Sequence, residues 1–357
     1  MPKFSKFMNI QRNNLLTIFI LASAMLFSSC STLLYTSIDV LRPAKISFPL
    51  DVDNITILNN ALPQPENHGH TNKFLNATVQ QATVNTDSLA IFALASFAES
   101  MAEKEFFNII SLRHESIKKG QDFQSVNYPL RETINQLSEH ENDGVIALNR
   151  FVVEDQLGEL YDPENGLYYA YLEAIYDYVW SVHFPSKNKI QSFNVKDTVY
   201  WEAEAYARQR AMNGLPERKD ALIDGALISG SRIVDKFIPY WEEVDRYIFN
   251  FSNKKHKQGL DAVYIKDWDT AIHAWEDLLN TTKSQTKKIK TAHNISVVYE
   301  IKGDIQKAFE YSEKAMILFN DVVVFDYRSM LMLLEQYENI KQRKIELEII
   351  NEQLGTE

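Results

Sequence analysis

Two histidines separated by one residue, His68 and His70, form the only close histidine pair in the sequence. A zinc site in a protein takes three or four ligands, usually from Cys, His, Asp and Glu side chains. This pair supplies two ligands at most, and the sequence has neither an H-E-x-x-H element nor a second cysteine to complete a site. We therefore predict no metal ion. Because residues 61–85 are polar and contain two prolines, we expect both histidines to lie in a solvent-exposed loop.

Ser231 is a second residue that could do chemistry, because it follows a glycine in a segment rich in small residues. A nucleophile elbow requires G-x-S-x-G and a phosphate-binding loop requires G-x-x-x-x-G-K-[ST], and neither spacing occurs. Instead, Ala221, Gly225 and Ser229 recur at intervals of four residues, which places small side chains on one face of a helix. We interpret them as packing residues that let the helix lie close to a sheet. The sequence thus predicts no catalytic site and no cofactor, and hence a chain that is not an enzyme.

The single cysteine, Cys30, follows a segment that determines where the rest of the chain works. A leader with Lys3, Lys6 and Arg12 precedes thirteen mostly apolar residues, 15–27, and then two serines. The apolar run is too short to span a bilayer, and its flanks are typical of a signal peptide. The segment resembles a bacterial lipoprotein signal, which implies cleavage before Cys30 and lipid attachment to it. An ordinary secretory signal and an uncleaved anchor are the alternatives.

Lipid attachment at Cys30 implies that the membrane is a partner without a transmembrane helix. Residues 31–35 contain no acidic side chain. Lipoproteins of Bacteroidota-type bacteria that reach the cell surface usually carry acids there, so the resemblance implies an outer-membrane anchor that faces the periplasm. The net charge is −11, and removal of the three basic leader residues leaves about −14. A chain this acidic has no basic stripe for phosphates, which argues against a nucleic-acid partner.

The chain after the signal alternates extended and helical patterns as far as residue 252. Apolar residues from 87 to 107 recur at helical spacing, whereas the flanking segments contain β-branched runs bounded by turn residues. The order strand, helix, strand, helix, strand predicts an α/β layer. The predicted elements are strands within 37–60, a helix over 87–107, a strand at 107–112, a helix over 129–140, a strand over 143–155, a helix over 215–238 and a last strand over 242–251.

Two long segments rich in aromatic and β-branched residues, 168–184 and 190–207, are separated by a polar turn. This pattern predicts an antiparallel hairpin, which the preceding strand joins. Its tyrosines could form a sugar-binding platform, since aromatic rings pack against the apolar faces of sugars; alternatively, tyrosine is simply a common strand residue. The tyrosines concerned are Tyr168, Tyr169, Tyr171, Tyr176 and Tyr178.

From residue 253 to the end the pattern is helical. Ala271 and Ala308 occupy equivalent places in two segments and lie thirty-seven residues apart. The pair of segments resembles the tetratricopeptide repeat, whose period is about 34 residues. The resemblance implies two helical hairpins in which each alanine lets its helix approach the preceding one. Because such arrays normally need about three repeats, we expect helix within 321–354 to cap the array.

The resemblance to tetratricopeptide repeats also implies a binding surface. Such arrays present the first helix of each repeat to a concave groove. Alignment places seven side chains of this chain there, among them Leu260 and Val263, and we expect the other five to contact the partner. They are His256, Tyr264, His293, Val297 and Glu300. A mixture of imidazole, aromatic and aliphatic groups suits an extended or helical peptide. The alternative is that the two histidines only stabilise helix packing.

Five segments together resemble one family. The sequences LRPAKISFP, NITILNN, DTVYWE, IPYW and DWDTAIHAWEDL look like those of uncharacterised Bacteroidota lipoproteins that join an α/β domain to a tetratricopeptide tail. We accordingly expect an α+β fold, with a signal peptide at 1–29, an α/β domain at 30–252 and a helical domain at 253–357. The expected function is a non-enzymatic envelope scaffold or adaptor that binds a protein partner through its tail. A carbohydrate-binding lipoprotein and a hydrolase with scattered residues are the alternatives.

Overall fold

The computed structural model describes residues 33–75, 77–120, 122–138, 143–322 and 325–356. Cys30 and the predicted signal peptide lie outside the described residues. The chain divides into two compact units. Among the described residues, the α/β unit contains those within 42–240 and 349–356, and the helical unit contains those within 33–41 and 241–348. This arrangement of sheets and helices confirms the predicted α+β class.

The strands of the described residues are β1 (Leu33–Arg42), β2 (Asn54–Asn59), β3 (His70–Lys73), β4 (Gln80–Gln81), β5 (Ile109–Arg113), β6 (Asp143–Asp162), β7 (Leu167–Phe184), β8 (Lys189–Ala205) and β9 (Tyr240–Phe249). The helices are α1 (Leu89–Glu103), α2 (Arg131–Leu137), α3 (Arg208–Asn213), α4 (Arg218–Ile233), α5 (Lys254–Tyr264), α6 (Trp268–Thr281), α7 (Gln285–Ile301), α8 (Ile305–Asn320) and α9 (Tyr327–Leu354). The predicted elements between residues 37 and 251 are confirmed with shifted ends, whereas β3 and β4 lie where a loop was expected.

β2 is the central strand in the parallel part of the sheet. It pairs in parallel with β5 on one side and with β6 on the other. The path from β2 to β5 includes α1, and the path from β5 to β6 includes α2. Ile57 of β2 packs in one core with Phe97 of α1, whereas the adjacent Leu58 packs with Ile134 of α2. Since successive strand residues point to opposite faces, the two helices cover opposite faces of the sheet.

The antiparallel part of the sheet is built on β6, which extends beyond β2. β6 pairs with β7, and β7 pairs with β8 over its whole length. The predicted hairpin and its junction with the preceding strand are therefore confirmed. The turn is a 3-10 helix at Pro185–Lys187, followed by Asn188 at a φ of 48°. Asparagine tolerates this left-handed conformation better than most residues.

The stripe of small residues on α4 packs against the sheet, as predicted. Ala221, Gly225 and Ser229 are buried, and a Cβ on Gly225 would lie 2.1 Å from the Tyr176 hydroxyl oxygen. The Tyr178 hydroxyl donates a hydrogen bond to Ser229 Oγ at 2.9 Å. The sugar-binding platform of five tyrosines is thus wrong for Tyr176 and Tyr178, because both are buried beneath α4.

The expected loop at 61–85 contains β3, and this changes the surroundings of His70. β3 pairs in parallel with β6 and places His70 opposite Asp155. His70 is fully buried and its Nδ1 bonds the Asp155 carboxylate, which also accepts a 2.6 Å hydrogen bond from Arg218 Nε. The expectation of a solvent-exposed residue is therefore wrong for His70, whereas His68 is partly exposed.

The helical unit contains two helical hairpins, α5–α6 and α7–α8, followed by α9. Asp267 and Asp304 begin α6 and α8 in the same way, each accepting a hydrogen bond from the N–H three residues later. Ala271 and Ala308 are fully buried, as predicted. The two hairpins are thus repeats of one local structure. No helix in the described ranges has the length and apolar character needed to cross a membrane.

β1 and β9 form a separate two-stranded sheet, which we call the ribbon. Tyr35 contacts Tyr247 and Ser37 donates to Asp245, so the two strands run in opposite directions. The predicted strand at 242–251 is confirmed, but it belongs to the helical unit and does not extend the larger sheet. The local pattern could not show this pairing because β1 lies about 200 residues earlier in the chain.

Candidate functional site

Helix α7 carries three of the five predicted groove residues and is buried on nearly every side. All of its residues from 289 to 298 are buried. Helices α6 and α8 pack against it, and polar groups of β9 and α9 bond to its side chains. A first helix that lined an open groove would keep one face in solvent. The inner face of this array is therefore filled by the chain itself.

Asn294 binds the main chain of β9 as a neighbouring strand would. Its Oδ1 accepts a hydrogen bond from the Phe249 N–H at 2.8 Å, and its Nδ2 donates to the Phe249 carbonyl at 2.8 Å. Beside it, His293 Nε2 donates to the Tyr247 carbonyl at 2.9 Å. Main-chain groups at a buried strand edge need such partners. α7 thus holds β9 as an extended segment on its inner face.

Glu300 is the centre of a buried ionic network in the helical unit. Its carboxylate accepts two hydrogen bonds of 2.8 Å from the Arg246 guanidinium, one of 2.9 Å from Arg343 and one of 3.0 Å from Gln336. Burial is the largest single influence on Glu300 and raises its pKa. The hydrogen bonds and charge of Arg246, the hydrogen bond from Gln336 and the charge of Arg343 together outweigh burial, so the pKa of Glu300 lies below its ordinary value. The carboxylate therefore fixes β9 and α9 to α7 and is not free to bind a partner.

His256 is stacked between two aromatic rings. The ring centroid of Phe251 is 3.8 Å away and that of Trp275 is 5.8 Å away, and all three rings are nearly parallel. His256 is fully buried, and neither ring nitrogen has a hydrogen-bond partner among the described residues. Burial lowers the pKa of His256 to about 4. The imidazole is consequently neutral near pH 7 and packs as an aromatic ring.

The five predicted groove residues thus differ in their exposure to solvent. His256, His293, Val297 and Glu300 are buried, so the expectation that they face an open groove is wrong for these four. Only Tyr264 is exposed, by 67%. The burial of both histidines favours the alternative, in which they serve packing inside the helical unit. Sequence reasoning missed Asn294, although an asparagine in the interior of an otherwise well-packed helix is a usable signal of a specific hydrogen bond.

The outer face of the ribbon is an aromatic surface that is exposed to solvent. Trp241 is 67% exposed and Tyr35 is 59% exposed, and Tyr35 packs edge-on against Tyr247 at 4.9 Å between ring centroids. Between the two ends lie three exposed acidic side chains. They are Asp39, Glu243 and Asp245. The alternation of exposed and buried residues along both strands presents these groups on one face.

In the α/β unit, the carboxyl ends of β2 and β5 form a crevice. The chain runs from β2 through β3 and β4 to α1, and from β5 to α2. These two helices cover opposite faces of the sheet. In open α/β sheets such a switch point is the usual place for a ligand. A cavity of about 150 Å³ lies there between Asn59, Asp87 and His114. A second cavity of about 400 Å³, on the α2 side, shares His114 and Glu115 with the first.

The polar side chains that line the crevice are of two kinds: some hydrogen-bond to the main chain, and others are exposed to solvent. Asn59 donates to the His114 carbonyl at 2.9 Å, and Gln64 both donates to and accepts from the Val153 main chain. By contrast, the side chains of Asp87, His114 and Glu115 are exposed. Among the residues that the structure describes, no group of three His, Cys, Asp or Glu side chains could hold a metal ion. The crevice can therefore offer a small ligand an apolar wall and a few exposed polar groups.

Two family models match the chain, one after the other. The model described as Domain of unknown function (DUF8603) matches residues 52–249, more than half of the chain, so the chain belongs to that family. The model described as Domain of unknown function (DUF6340) matches residues 257–343. No curated protein matches the chain. A solved structure titled "Crystal structure of uncharacterized protein" covers 54% of this chain and 96% of its own, at 7% identity and a TM-score of 0.24, and a similarity this low carries no argument.

Proposed function

We propose that this chain is a non-enzymatic lipoprotein of the cell envelope that binds a protein partner. In this proposal Cys30 carries the lipid, the outer membrane holds the anchor, and the mature chain faces the periplasm. The helical unit is a tetratricopeptide-like scaffold. It differs from the expected arrangement in one respect, because its inner face is occupied by its own strand β9.

The observation that supports this proposal is the way in which α7 holds the ribbon. Asn294 and His293 bond to the main chain of β9, and Glu300 binds Arg246 of the same strand. These hydrogen bonds and this ion pair therefore fix the position of a short sheet, the ribbon, on the helical hairpins. The sheet in turn exposes Trp241 and Tyr35. Trp and Tyr are among the residues that contribute most to protein–protein affinity.

We therefore propose the outer face of the ribbon as the partner-binding surface. Its aromatic side chains supply apolar area at low entropic cost, since each has only two side-chain torsions. The three carboxylates between them favour a partner surface with basic or hydrogen-bond-donating groups. Tyr264 is as exposed as Trp241, by 67%, but it lies at the tip of the first helical hairpin. It is therefore a matched control for an exposed aromatic residue elsewhere in the same unit.

The test is capture of partners by the full-length chain extracted from membranes after chemical crosslinking, followed by mass spectrometry. We expect the double variant Tyr35→Ala and Trp241→Ala to lose the partner that the unchanged chain captures, and Tyr264→Ala to retain it. All of these side chains are largely exposed, so the thermal melt should remain nearly unchanged. Loss with Tyr264→Ala alone would place the partner at the hairpin tip and overturn the ribbon as the binding surface.

A further inference from the structure

The antiparallel sheet β6–β7–β8 has one face against which α4 does not pack. Helix α2 lies on this face at the start of β6, where Val145 and Ala147 pack with Ile134. α4 packs against the other face, where Tyr176 and Tyr178 are buried. On the open face, residues of β8 from 190 to 204 are exposed at every second position. The face is therefore accessible to solvent along β8.

Three successive cross-strand pairs on this face each combine a tyrosine with a glutamate. Tyr169 lies opposite Glu204, Tyr171 lies opposite Glu202, and Glu173 lies opposite Tyr200. Side chains of directly opposed residues in an antiparallel sheet lie about 5 Å apart. We call these six residues the tyrosine–glutamate face. Each glutamate of this face is exposed, and Tyr200 is 52% exposed.

Two aromatic rings of this face, those of Tyr171 and Tyr200, pack against each other in the unbound protein. The Tyr171 ring lies over Gly158 of β6, where a Cβ would be 2.4 Å from the ring. Its hydroxyl donates to Gln156 Oε1 at 3.0 Å, and its ring stacks on that of Tyr200 at 6.1 Å and 14°. Binding to this surface would therefore cost little ordering of the rings.

The charge of the tyrosine–glutamate face is negative. None of its three glutamates forms an ion pair with another described residue, and Glu154 of β6 adds a fourth exposed carboxylate. Desolvation raises the pKa of Tyr169 and of Tyr200, and the negative charges of Glu204 and Glu202, respectively, raise them further. Lys196, farther along β8, is already paired with Asp177.

We propose that the tyrosine–glutamate face binds an extended basic segment of another protein, with Arg or Lys at alternate positions. A cation placed beside a tyrosine ring gains from the ring quadrupole, and a carboxylate beside it accepts charge-assisted hydrogen bonds. Each of the three cross-strand pairs offers both groups. Successive pairs lie about 7 Å apart along the strands, which is also the spacing of every second residue in an extended chain.

This inference goes beyond the proposed function, because it concerns a different unit and a defined partner chemistry. The carboxylates disfavour nucleic acid and anionic lipid head groups through like-charge repulsion. A neutral sugar could stack on the same rings, but it would gain no charge–charge attraction from the glutamates of the three pairs. The two possibilities therefore predict different responses to salt and to the order of charges in a ligand.

The experiment uses isothermal titration of the full-length chain with two synthetic hexapeptides of identical composition. One alternates arginine with serine, and the other carries three arginines followed by three serines. We expect the alternating peptide to bind more tightly, with its affinity falling about tenfold as NaCl rises from about 50 to about 300 mM. The double variant Glu202→Gln and Glu204→Gln should weaken this binding about fivefold or more, and Tyr200→Ala should weaken it as well.

The matched control is the double variant Glu99→Gln and Glu103→Gln on α1, which changes the net charge by the same amount. Both of these residues are exposed and lie far along the chain from β8. The control should bind the alternating peptide as the unchanged chain does. If both double variants weakened binding of the alternating peptide equally, the loss of affinity would follow from net charge alone, and the proposal would be overturned. Equal affinity for the two peptides, or salt-independent binding of a neutral oligosaccharide that Tyr200→Ala abolishes, would also overturn it.

Discussion

His256 illustrates how a residue suited to chemistry can serve only in packing. Its ring lies between Phe251 and Trp275 and makes no hydrogen bond through either nitrogen to a described residue. The pKa of about 4 in the folded chain lies below the unfolded value of about 6.5. The unfolded state therefore takes up the proton first as the pH falls. Stability from the neutral ring is complete above about pH 6.5 and is lost progressively toward pH 4.

We predict that His256→Phe keeps the stability of the fold at pH 7.5 and reduces its loss at acidic pH. A phenyl ring fills the same space between the two aromatic rings, and no hydrogen bond is given up. The acid-induced loss of unfolding free energy should shrink by up to about 3 kcal/mol, the value of the pKa difference. Urea unfolding at pH 7.5, 6 and 5 measures this.

In this series of pH measurements, His273→Phe provides the control for the introduction of a phenylalanine, because the His273 side chain is 81% exposed and fills no space in the core. The dependence should not vanish in His256→Phe, because burial also lowers the pKa of His183 and of His293 to about 4. Identical pH profiles for His256→Phe and the unchanged chain would show that His256 is not the buried neutral group described above.

At the scale of elements, Asn294 joins helix α7 to the main chain of strand β9. Asn294→Leu preserves the volume but leaves the N–H and the carbonyl of Phe249 without their partner. Each buried polar group left unsatisfied costs about 1 to 3 kcal/mol. We therefore predict a loss of about 2 to 6 kcal/mol in unfolding free energy for the two groups together, with faster amide hydrogen exchange along β9.

Asn280 is the matched control for this substitution, because it is an exposed asparagine on the neighbouring helix α6. Asn280→Leu should change the unfolding free energy by less than about 0.5 kcal/mol. Unchanged exchange at Phe249 in Asn294→Leu would mean that α7 does not hold the strand through this side chain.

The elements differ in how well their sequence predicts them. The long hairpin and α1 follow from period-two and helical patterns that are continuous over fifteen or more residues. β3 was missed because its sequence, HTNK, is short and polar and has no alternation to recognise. The burial of His70 was missed for a related reason. It depends on Asp155, which is brought opposite His70 by strand pairing and is distant in the chain.

The candidate surfaces depend on pairings that no local pattern specifies. The repeat alignment located the buried Ala271 and Ala308 correctly, because small residues at a helix contact follow from the repeat itself. It could not show that β9 would occupy the inner face of α7. The cross-strand register that sets Tyr171 opposite Glu202 is likewise a property of the folded hairpin. Register requires the turn and both strands together.

At the scale of the whole molecule, the proposed location depends on one residue. We predict that Cys30→Ala abolishes incorporation of labelled palmitate and leaves a precursor that retains its leader. The thiol is the only group of its kind in the sequence, and lipid attachment requires it. Ser29→Ala is the matched control, because a small residue remains before the cysteine and labelling should persist. Palmitate incorporation that survives Cys30→Ala would remove the lipoprotein proposal.

The two units share one chain in an interleaved order, and this has a consequence for folding as the chain emerges. The helical unit needs β1 from the start of the described chain and β9 from about 200 residues later. The α/β unit in turn includes the last residues, where the Gln353 amide bonds both main-chain groups of Ala44. Neither unit can be completed before most of the chain is available, so these closures are non-local and slow. When the chain emerges from its amino end, β1 stays unpaired until β9 has also emerged. β1 is therefore the strand that a chaperone for unfolded chains could bind for the longest time.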